Sequence, residues 1–505
     1  MKIFRKTQSI SFLVIITSFL IFYKIYSFKF IHLSPNEVMY IGMTFKTDSI
    51  YSSYFGYQDN FGQYFFYEQF VEFFVYFFPQ HFYVLINIFI SALYLFSFFK
   101  LFKIFNINQL LLPLFSFIFF TEKFYANFGA LNFVEQGIAE PRHLGWVLIL
   151  ISISYFFEKK YLLSLVVLSL TTYFYFVIVL LLSPIFLFLF MKFKLNLKFL
   201  FSFVLINLPY FLFLYSSNAT SDSLDDALYT YIVKRHPHHL YPFENGLLRP
   251  EWFESFKIIL IFTLVTILLI YFLKKISIEK SKNLILLTIL TFVLLLIYLV
   301  LTYIFPINKF VLLMPIRLYN LIYIFILLGL FLILSELTET KIKLLLFNLF
   351  LVFTIISNPI FSDFYSLING NYSAQVQVIE VKNDNKKIIQ LNDIDAEFLE
   401  LISFLNSSVP NEGIILINNE NYLSTSIEIT TGISTYVLDK IVPKSLKNIY
   451  EWSERKILKA KTIETCANFL NIKTEIYVVS DYIPEVNLCK DVVFINDDYV
   501  VYRIK

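Results

Sequence analysis

The chain has 505 residues, of which 58% are hydrophobic, 20% aromatic and 16% charged. Soluble domains carry about 25% charged residues, so this composition excludes an ordinary water-soluble protein. The formal net charge of +3 is too small to indicate a nucleic-acid partner. We therefore expect an integral membrane protein that does not bind nucleic acid.

Residues 1–358 consist of apolar segments separated by short lysine-rich turns. A span needs about 20 apolar residues to cross the hydrocarbon core of a bilayer. No small-residue cleavage site follows the first segment, Ile10–Phe28, which is predicted to be an uncleaved span. The further span cores are Val84–Phe99, Phe201–Leu214, Ile258–Leu273, Leu284–Ile304 and Leu318–Leu334.

The segment Tyr161–Met191 is too long for one span and short for two. It lies between two basic turns, so an even number of crossings keeps both turns on one side of the membrane. We predict a tight hairpin of two short helices that turns near Thr171 and Thr172. With this hairpin the chain has about eleven spans.

The lysine-rich turns and the intervening loops differ in charge. Six basic clusters hold 16 basic residues, whereas loops 33–81, 122–143, 217–256 and 305–317 hold 8 basic and 14 acidic residues. The positive-inside rule then places the N-terminus in the cytoplasm and these loops outside. We therefore expect a multi-pass protein of the cell's inner or plasma membrane.

Residues 359–395 are predicted to be a linker and residues 396–505 an extracytoplasmic α/β domain. The predicted elements are the helices Glu397–Leu405, Tyr422–Thr430 and Ser445–Ile472 and the strands Ile414–Ile417, Ser434–Leu438, Ile476–Ser480, Val492–Ile495 and Tyr499–Ile504. Helices alternating with strands indicate a small sheet covered by helices. An extracytoplasmic setting permits a disulfide between Cys466 and Cys489, and two buried thiols are the alternative.

The first outer loop contains three candidate catalytic carboxylates, Glu37, Asp48 and Asp59. A carboxylate at the boundary between bilayer and water can act as general base toward a hydroxyl acceptor, or it can bind a divalent metal. The alternative is a solvated carboxylate that caps an interfacial helix.

Two outer loops place basic residues just before a span. Arg142 and His143 end the second loop, and Arg317 begins the last apolar stretch. Arginine binds phosphate well, and an ionisable group near a membrane boundary is a functional candidate. Either arginine can instead serve as an interfacial anchor.

The third outer loop is the densest polar cluster of the membrane half. It carries Arg235, His236, His238 and His239 close to three aspartates. Histidines beside acids can bind a transition metal. We favour a polar lid over a substrate headgroup, with Arg235 on phosphate and a histidine donating or accepting a proton.

The arrangement resembles the GT-C superfamily of membrane glycosyltransferases, in which an early acidic residue in the first outer loop recurs, as Glu37 in Asn36-Glu37 does here. Many members carry two acids where this chain has Asn36-Glu37. The chain is also similar to polytopic bacterial proteins that have a C-terminal extracytoplasmic domain and no assigned reaction. That likeness rests on Glu140-Pro-Arg-His143, Arg235-His-Pro-His-His-Leu-Tyr-Pro242, Pro315-Ile-Arg317 and Trp452-Ser-Glu-Arg455.

The resemblance implies a GT-C-like polytopic α-helical membrane protein with a small C-terminal α/β domain. It implies transfer of a sugar from a polyprenyl-phosphate-linked donor to an envelope glycan or protein. Glu37 would be the base and Arg317 would bind the donor phosphate. The alternatives from other classes are a transporter or flippase for a lipid-linked glycan and a non-catalytic scaffold.

Overall fold

The computed structural model of the protein describes most of the chain. The described residues are 11–20, 35–42, 55–121, 139–193, 197–217, 243–244, 247–248, 250–276, 278–304, 315–357, 376–381, 386–391, 395–420, 423–438, 446–470, 472–481 and 491–504.

Helices dominate the described part of the membrane half. They are α1 (Ser11–Leu20), α2 (Pro35–Gly42), α3 (Phe55–Phe77), α4 (Phe82–Ile104), α5 (Leu112–Thr121), α6 (Pro141–Phe157), α7 (Tyr161–Lys192), α8 (Leu197–Ser217), α9 (Pro250–Ile276), α10 (Ile278–Leu299), α11 (Tyr319–Leu337) and α12 (Thr340–Ser357). A 3₁₀ turn, Gln109–Leu111, precedes α5, and another, Pro315–Leu318, precedes α11. A small hairpin pairs β1 (Phe243–Glu244) with β2 (Leu247–Leu248).

Among the described residues, four helices are long and apolar enough to cross a membrane. They are Phe82–Ile104, Tyr161–Lys192, Ser281–Thr302 and Tyr319–Leu337. Shorter apolar helices accompany them, and large apolar side chains on several helices remain exposed. The prediction of a helical membrane protein is therefore confirmed at this level.

The helix α7 reverses direction at Tyr175, whose backbone is non-helical with φ −153° and ψ 74°. A straight helix of 32 residues would be about 48 Å long. Yet the ring of Phe156 lies 5.4 Å from that of Tyr161, at one end of α7, and 5.9 Å from that of Phe190, near the other end. The predicted hairpin is present, and its turn lies three residues beyond Thr172.

One end of the bundle gathers the basic turns. Lys100 and Lys160, from two different turns, both bind the carboxylate of Glu158, at 2.9 Å and 2.8 Å. A second contact lies close to Lys100 in the sequence, where the backbone N–H of Asn108 donates to the hydroxyl of Ser335 over 3.0 Å. Because these contacts join turns that the charge pattern placed on one side, they agree with the predicted alternation.

The C-terminal part combines a hairpin with a five-stranded sheet. Its elements are β3 (Val376–Val381), β4 (Lys386–Leu391), α13 (Ala396–Ser408), β5 (Ile414–Ile417), α14 (Ile427–Thr431), β6 (Ser434–Thr435), α15 (Leu446–Thr465), β7 (Ile476–Ser480), β8 (Val492–Ile495) and β9 (Val500–Ile504). The sheet order is β6-β5-β7-β9-β8, with β5 parallel to β6 and β7, and with β9 antiparallel to β7 and β8.

The predicted strands Ile414–Ile417, Ile476–Ser480 and Val492–Ile495 lie where the sequence pattern placed them. Other elements differ. The predicted strand Ser434–Leu438 is shortened to Ser434–Thr435, and the predicted helix Tyr422–Thr430 is described as a 3₁₀ turn, Ser424–Ser426, followed by the short helix Ile427–Thr431. The antiparallel β3–β4 hairpin lies inside the segment predicted to be a linker, and the long C-terminal helix ends at Thr465 instead of Ile472. Cys466, immediately after that helix, is disulfide-bonded, and the sequence has one other cysteine.

The C-terminal part docks on the helical part at the end opposite the basic turns. The N–H of Val378 in β3 donates to the carbonyl of Pro79, just before α4, over 2.8 Å. A buried 3₁₀ turn, Ser424–Ser426, packs on α2. The helix α15 packs on α3. These three contacts place the C-terminal part over the helices that build the site described next.

Candidate functional site

The site is built around Glu37, whose side chain is fully buried in the first turn of α2. The hydroxyl of Tyr83 on α4 donates to its Oε2 over 2.7 Å. The backbone N–H of Ala139 donates to its Oε1 over 3.0 Å. A buried carboxyl group is costly unless it is hydrogen-bonded, so these two donors fix its position.

Local sequence explains why α2 begins before Glu37. Pro35 suits the first turn of a helix, because its missing N–H has no partner to lose there. An acidic residue in the first turn interacts favourably with the helix dipole. The following Val38 and Ile41 are buried against the rest of the bundle. The helix therefore presents its carboxylate inward at the end that carries the C-terminal part.

A second carboxylate, Glu140, lies next to the Ala139 N–H that holds Glu37. Glu140 is buried and pairs with Arg142, whose Nε is 2.6 Å from Oε2 and whose Nη2 donates to Oε1 over 3.1 Å. Two contacts between a guanidinium and one carboxylate make a strong and oriented pair. The charge of Glu140 is therefore balanced locally by Arg142, and Glu37 is held by the donors Tyr83 and Ala139.

His143 is buried in the first turn of α6, where its Nδ1 lies 3.0 Å from the hydroxyl of Tyr94 on α4. The helix α4 carries a row of buried polar residues from Tyr83 through Asn87 and Ser91 to Tyr94. Because α4 packs on α6, this row connects the Glu37 end of the site to His143.

Tyr67 on α3 is fully buried, and the charges of Glu37 and Glu140 act on it. Its ring meets that of Tyr40 on α2 edge to face, with centroids 6.3 Å apart. Burial raises the pKa of Tyr67 well above its ordinary value of 10.0, and the charges of Glu37 and Glu140 raise it further. The phenol therefore stays protonated and can donate a hydrogen bond.

Arg317, in the 3₁₀ turn before α11, hydrogen-bonds the hydroxyl of Tyr175. Its guanidinium carbon lies 5.7 Å from the centre of the same ring. Tyr175 sits at the reversal of α7 and packs against Gly145 of α6, one turn below Arg142. The reversal of α7 thus positions Arg317 at the same end of the bundle as Arg142.

An apolar cavity of about 570 Å³ lies between α5, α9 and α11. Ligand pockets typically measure about 300–1,000 Å³. Its walls include Leu114, Phe262, Leu327, Phe331 and Leu334. The α11 wall starts at Tyr323, six residues after Arg317, and runs away from it along the helix. The cavity can therefore hold an apolar chain that extends along α11 away from the cationic Arg317.

Four of the predicted site residues can be placed. Glu37, Arg142 and His143 meet through α2, α4 and α6, and Arg317 adjoins them through Tyr175. Asp59 lies in α3, where the structure describes no side chain for it. The remaining candidates, outside the described residues, are Asp48, Arg235, His236, His238 and His239. Within the described part, no group of three or more His, Cys, Asp or Glu side chains could hold a metal ion.

Sequence reasoning missed the tyrosines of the site, Tyr67, Tyr83, Tyr94 and Tyr175. The chain has 35 tyrosines, and their abundance hid these four. One signal was available for Tyr83, because Tyr83, Asn87, Ser91 and Tyr94 recur at helical spacing within an apolar span.

Comparison with known proteins adds no family to this description. No protein-family model matches the chain, and no curated protein is significantly similar to it in sequence.

Proposed function

We propose that the chain is an integral membrane glycosyltransferase of the GT-C type. It would transfer a sugar from a polyprenyl-phosphate-linked donor to an envelope glycan or protein acceptor. The observation that carries the proposal is the buried Glu37 carboxyl group, oriented by Tyr83 and Ala139 at the end of the bundle that faces away from the basic turns. Two arginines, Arg142 and Arg317, lie at that same end.

The proposed membrane topology follows the charge pattern. We propose eleven spans, with α7 counted as two arms. In support, four of the described helices are long and apolar enough to cross a membrane, and shorter apolar helices accompany them. The protein lies in the inner or plasma membrane of the cell, and its N-terminus lies in the cytoplasm. Residues 1–358 form the membrane domain, and residues 396–505 form the extracytoplasmic domain. Lys100, Lys160 and Glu158 mark the cytoplasmic end.

The cavity and Arg317 match the two parts of a polyprenyl-phosphate donor. The isoprenoid chain is apolar and fits between α5, α9 and α11. The phosphate carries the negative charge that a guanidinium binds well. With the chain along α11 and the phosphate at Arg317, the sugar points toward Glu37 and the C-terminal part.

In the proposed reaction, Glu37 takes the proton from the acceptor hydroxyl. The acceptor oxygen forms a bond to the anomeric carbon from the face opposite the phosphate. The bond between that carbon and the phosphate oxygen breaks, and its electron pair leaves with the phosphate. The product has the inverted configuration. The leaving phosphate needs charge neutralisation more than it needs an acid, and Arg317 supplies that charge.

A divalent metal is not required by these steps. Both oxygens of Glu37 accept hydrogen bonds from the protein, and both oxygens of Glu140 contact Arg142. The carboxylates that the structure describes in the site are therefore engaged with protein groups, and no proposed step depends on a metal.

The test compares polyprenyl-linked sugars and envelope glycans in a deletion strain and in complemented strains. One strain carries the native chain, one carries Glu37→Gln, and a matched control carries Glu158→Gln at the opposite end. We expect a glycan linkage to be lost on deletion and restored by the native chain and by Glu158→Gln, but not by Glu37→Gln. Accumulation of the lipid-linked donor should accompany the loss.

Other outcomes favour the other classes. Restoration by Glu37→Gln at native expression would remove the base from the mechanism and favour a transporter, a flippase or a scaffold. A deletion that changes no glycan and no lipid-linked sugar would overturn the enzyme proposal itself.

A further inference from the structure

The hydroxyl of Tyr67 is fully buried and has no hydrogen-bond partner among the residues that the structure describes. A buried hydroxyl left without a partner has lost its hydrogen bonds to water without replacing them, which destabilises the fold. A buried polar group without a hydrogen-bond partner needs a physical explanation, and a bound ligand that completes the hydrogen bond is one such explanation. Within the described part of the chain, the Tyr67 hydroxyl is therefore a donor that a bound ligand can use.

The position of Tyr67 identifies its neighbours. Tyr40 lies three residues after Glu37, so the two side chains share one face of α2. That face meets α3 at the contact between the rings of Tyr40 and Tyr67. On the other side, the Ala139 N–H that holds Glu37 is adjacent to Glu140. Tyr67 thus lies within the electrostatic reach of both carboxylates.

The charge of this environment indicates the chemistry of the ligand. Two carboxyl groups, Glu37 and Glu140, act on Tyr67, whereas the guanidinium of Arg317 lies at Tyr175. A phosphate binds a guanidinium well, and carboxyl groups repel it. A neutral group with several hydroxyls can donate to the carboxyl oxygens and accept from the phenol. Hydroxyl groups of a sugar meet both requirements.

We propose that Tyr67 is a substrate-contacting residue whose hydroxyl hydrogen-bonds the sugar unit held beside Glu37 and Glu140. This inference rests on the proposed function and deepens it, because it assigns the sugar to the Tyr67 side of the site and the phosphate to the Arg317 side. A site that provides a hydrogen bond to a substrate hydroxyl discriminates strongly against ligands without that hydroxyl. Tyr67 would then contribute to the choice of sugar.

The variant Tyr67→Phe separates a ligand contact from a structural role. It keeps the ring that packs against Tyr40 and removes only the hydroxyl. Because that hydroxyl has no hydrogen-bond partner in the described part of the chain, the melting temperature of the purified protein should stay level or rise. Glycan restoration in the deletion strain should fall about tenfold or more, since one such hydrogen bond is worth about that factor.

The matched control is Tyr298→Phe, which removes a buried hydroxyl that donates to the carbonyl of Leu181 over 3.1 Å. It should lower the melting temperature and leave glycan restoration intact at equal protein level. Full restoration by Tyr67→Phe would overturn the inference while the proposed function stands. A melting temperature lowered as much as in Tyr298→Phe would show a structural role and also overturn it.

Failure of the proposed function gives a different result. In that case the deletion itself changes no glycan, and the native chain has nothing to restore. Both proposals are supported together if the native chain restores the glycan fully and Tyr67→Phe does not, while the melting temperature of Tyr67→Phe is unchanged.

Discussion

A Cβ atom on Gly145 would lie 2.5 Å from the Cβ of Tyr175, which makes this the point where α6 and the reversal of α7 touch. Cβ atoms are bonded directly to the main chain, so residue 145 and Tyr175 cannot move apart unless one of their helices shifts. Tyr175 in turn holds Arg317 through its hydroxyl. The absence of a side chain at position 145 thus determines where a cation lies on another segment.

Replacement of Gly145 by alanine should destabilise the protein by about 1–3 kcal/mol, the usual cost of overpacking. Alanine favours a helix interior by up to about 1 kcal/mol over glycine, and the clash outweighs that gain. Thermal unfolding of the purified protein measures the change. Gly329→Ala is the matched control, because its Cβ would meet the flexible end of Leu269 at 2.7 Å. Equal losses of stability in Gly145→Ala and Gly329→Ala would contradict this prediction.

Removal of the Tyr83 hydroxyl should loosen Glu37. Tyr83→Phe deletes the 2.7 Å hydrogen bond to Oε2 and keeps the hydrogen bond from the N–H of Ala139 to Oε1. We expect a loss of about 1–3 kcal/mol in the free energy of unfolding, together with reduced glycan restoration. Tyr76→Phe, on the exposed part of α3, serves as the control and should change neither. Unchanged stability and restoration in Tyr83→Phe would show that the hydrogen bond does not orient Glu37.

The carboxylate of Glu158 predicts a pH dependence. Burial raises its pKa, but hydrogen bonds and charges from Lys160 and Lys100 prevail and lower it below the ordinary 4.5. A lowered pKa in the folded state adds stability above pH 4.5, and that stability is lost as the pH falls through the folded value. Glu158→Gln should therefore cost about 1 kcal/mol at pH 7 and progressively less below pH 4.5.

Melting temperatures of the native chain and Glu158→Gln, measured from pH 7 to pH 3.5 in detergent, check this trend. The solvent-exposed Glu412→Gln is the control and should show no such convergence. If the difference in melting temperature between the native chain and Glu158→Gln widens as the pH falls, the pKa of Glu158 is not lowered in the folded state and the prediction is wrong.

Cysteine labelling tests the proposed sidedness. Cys466 is disulfide-bonded, so it offers no thiol to a maleimide, and single introduced cysteines report their own side. An impermeant maleimide on intact cells should label Glu412→Cys in the C-terminal part. It should label Lys160→Cys only after the membrane is opened. The opposite pattern would invert the topology and place Glu37 in the cytoplasm.

The sequence predicted the helical membrane class, the α7 hairpin and several strands, because apolar period and charge alternation act over many residues. It placed the hairpin turn near Thr172 instead of Tyr175. Tyr175 packs against Gly145 of another helix, and no local turn motif encodes that contact. It missed the β3–β4 hairpin, although Val376–Val381 includes alternating residues followed by the turn-forming Asn383-Asp384.

For the site, single residues were predictable and their association was not. Glu37, Arg142 and Arg317 each drew attention as ionisable groups at a membrane boundary. Their partners come from distant helices, as Tyr83 does for Glu37 and Tyr175 does for Arg317. No local pattern encodes such pairs, because they depend on how the helices pack.

The packing of the Ser424–Ser426 turn on α2 has a consequence for how the protein is made. During synthesis, every helix of the bundle leaves the ribosome before this turn does. A nascent chain therefore passes through a stage in which its transmembrane part is inserted while the Glu37 end still lacks this covering turn. Only the finished polypeptide closes that end, so a prematurely terminated product would insert in the bilayer with an open site.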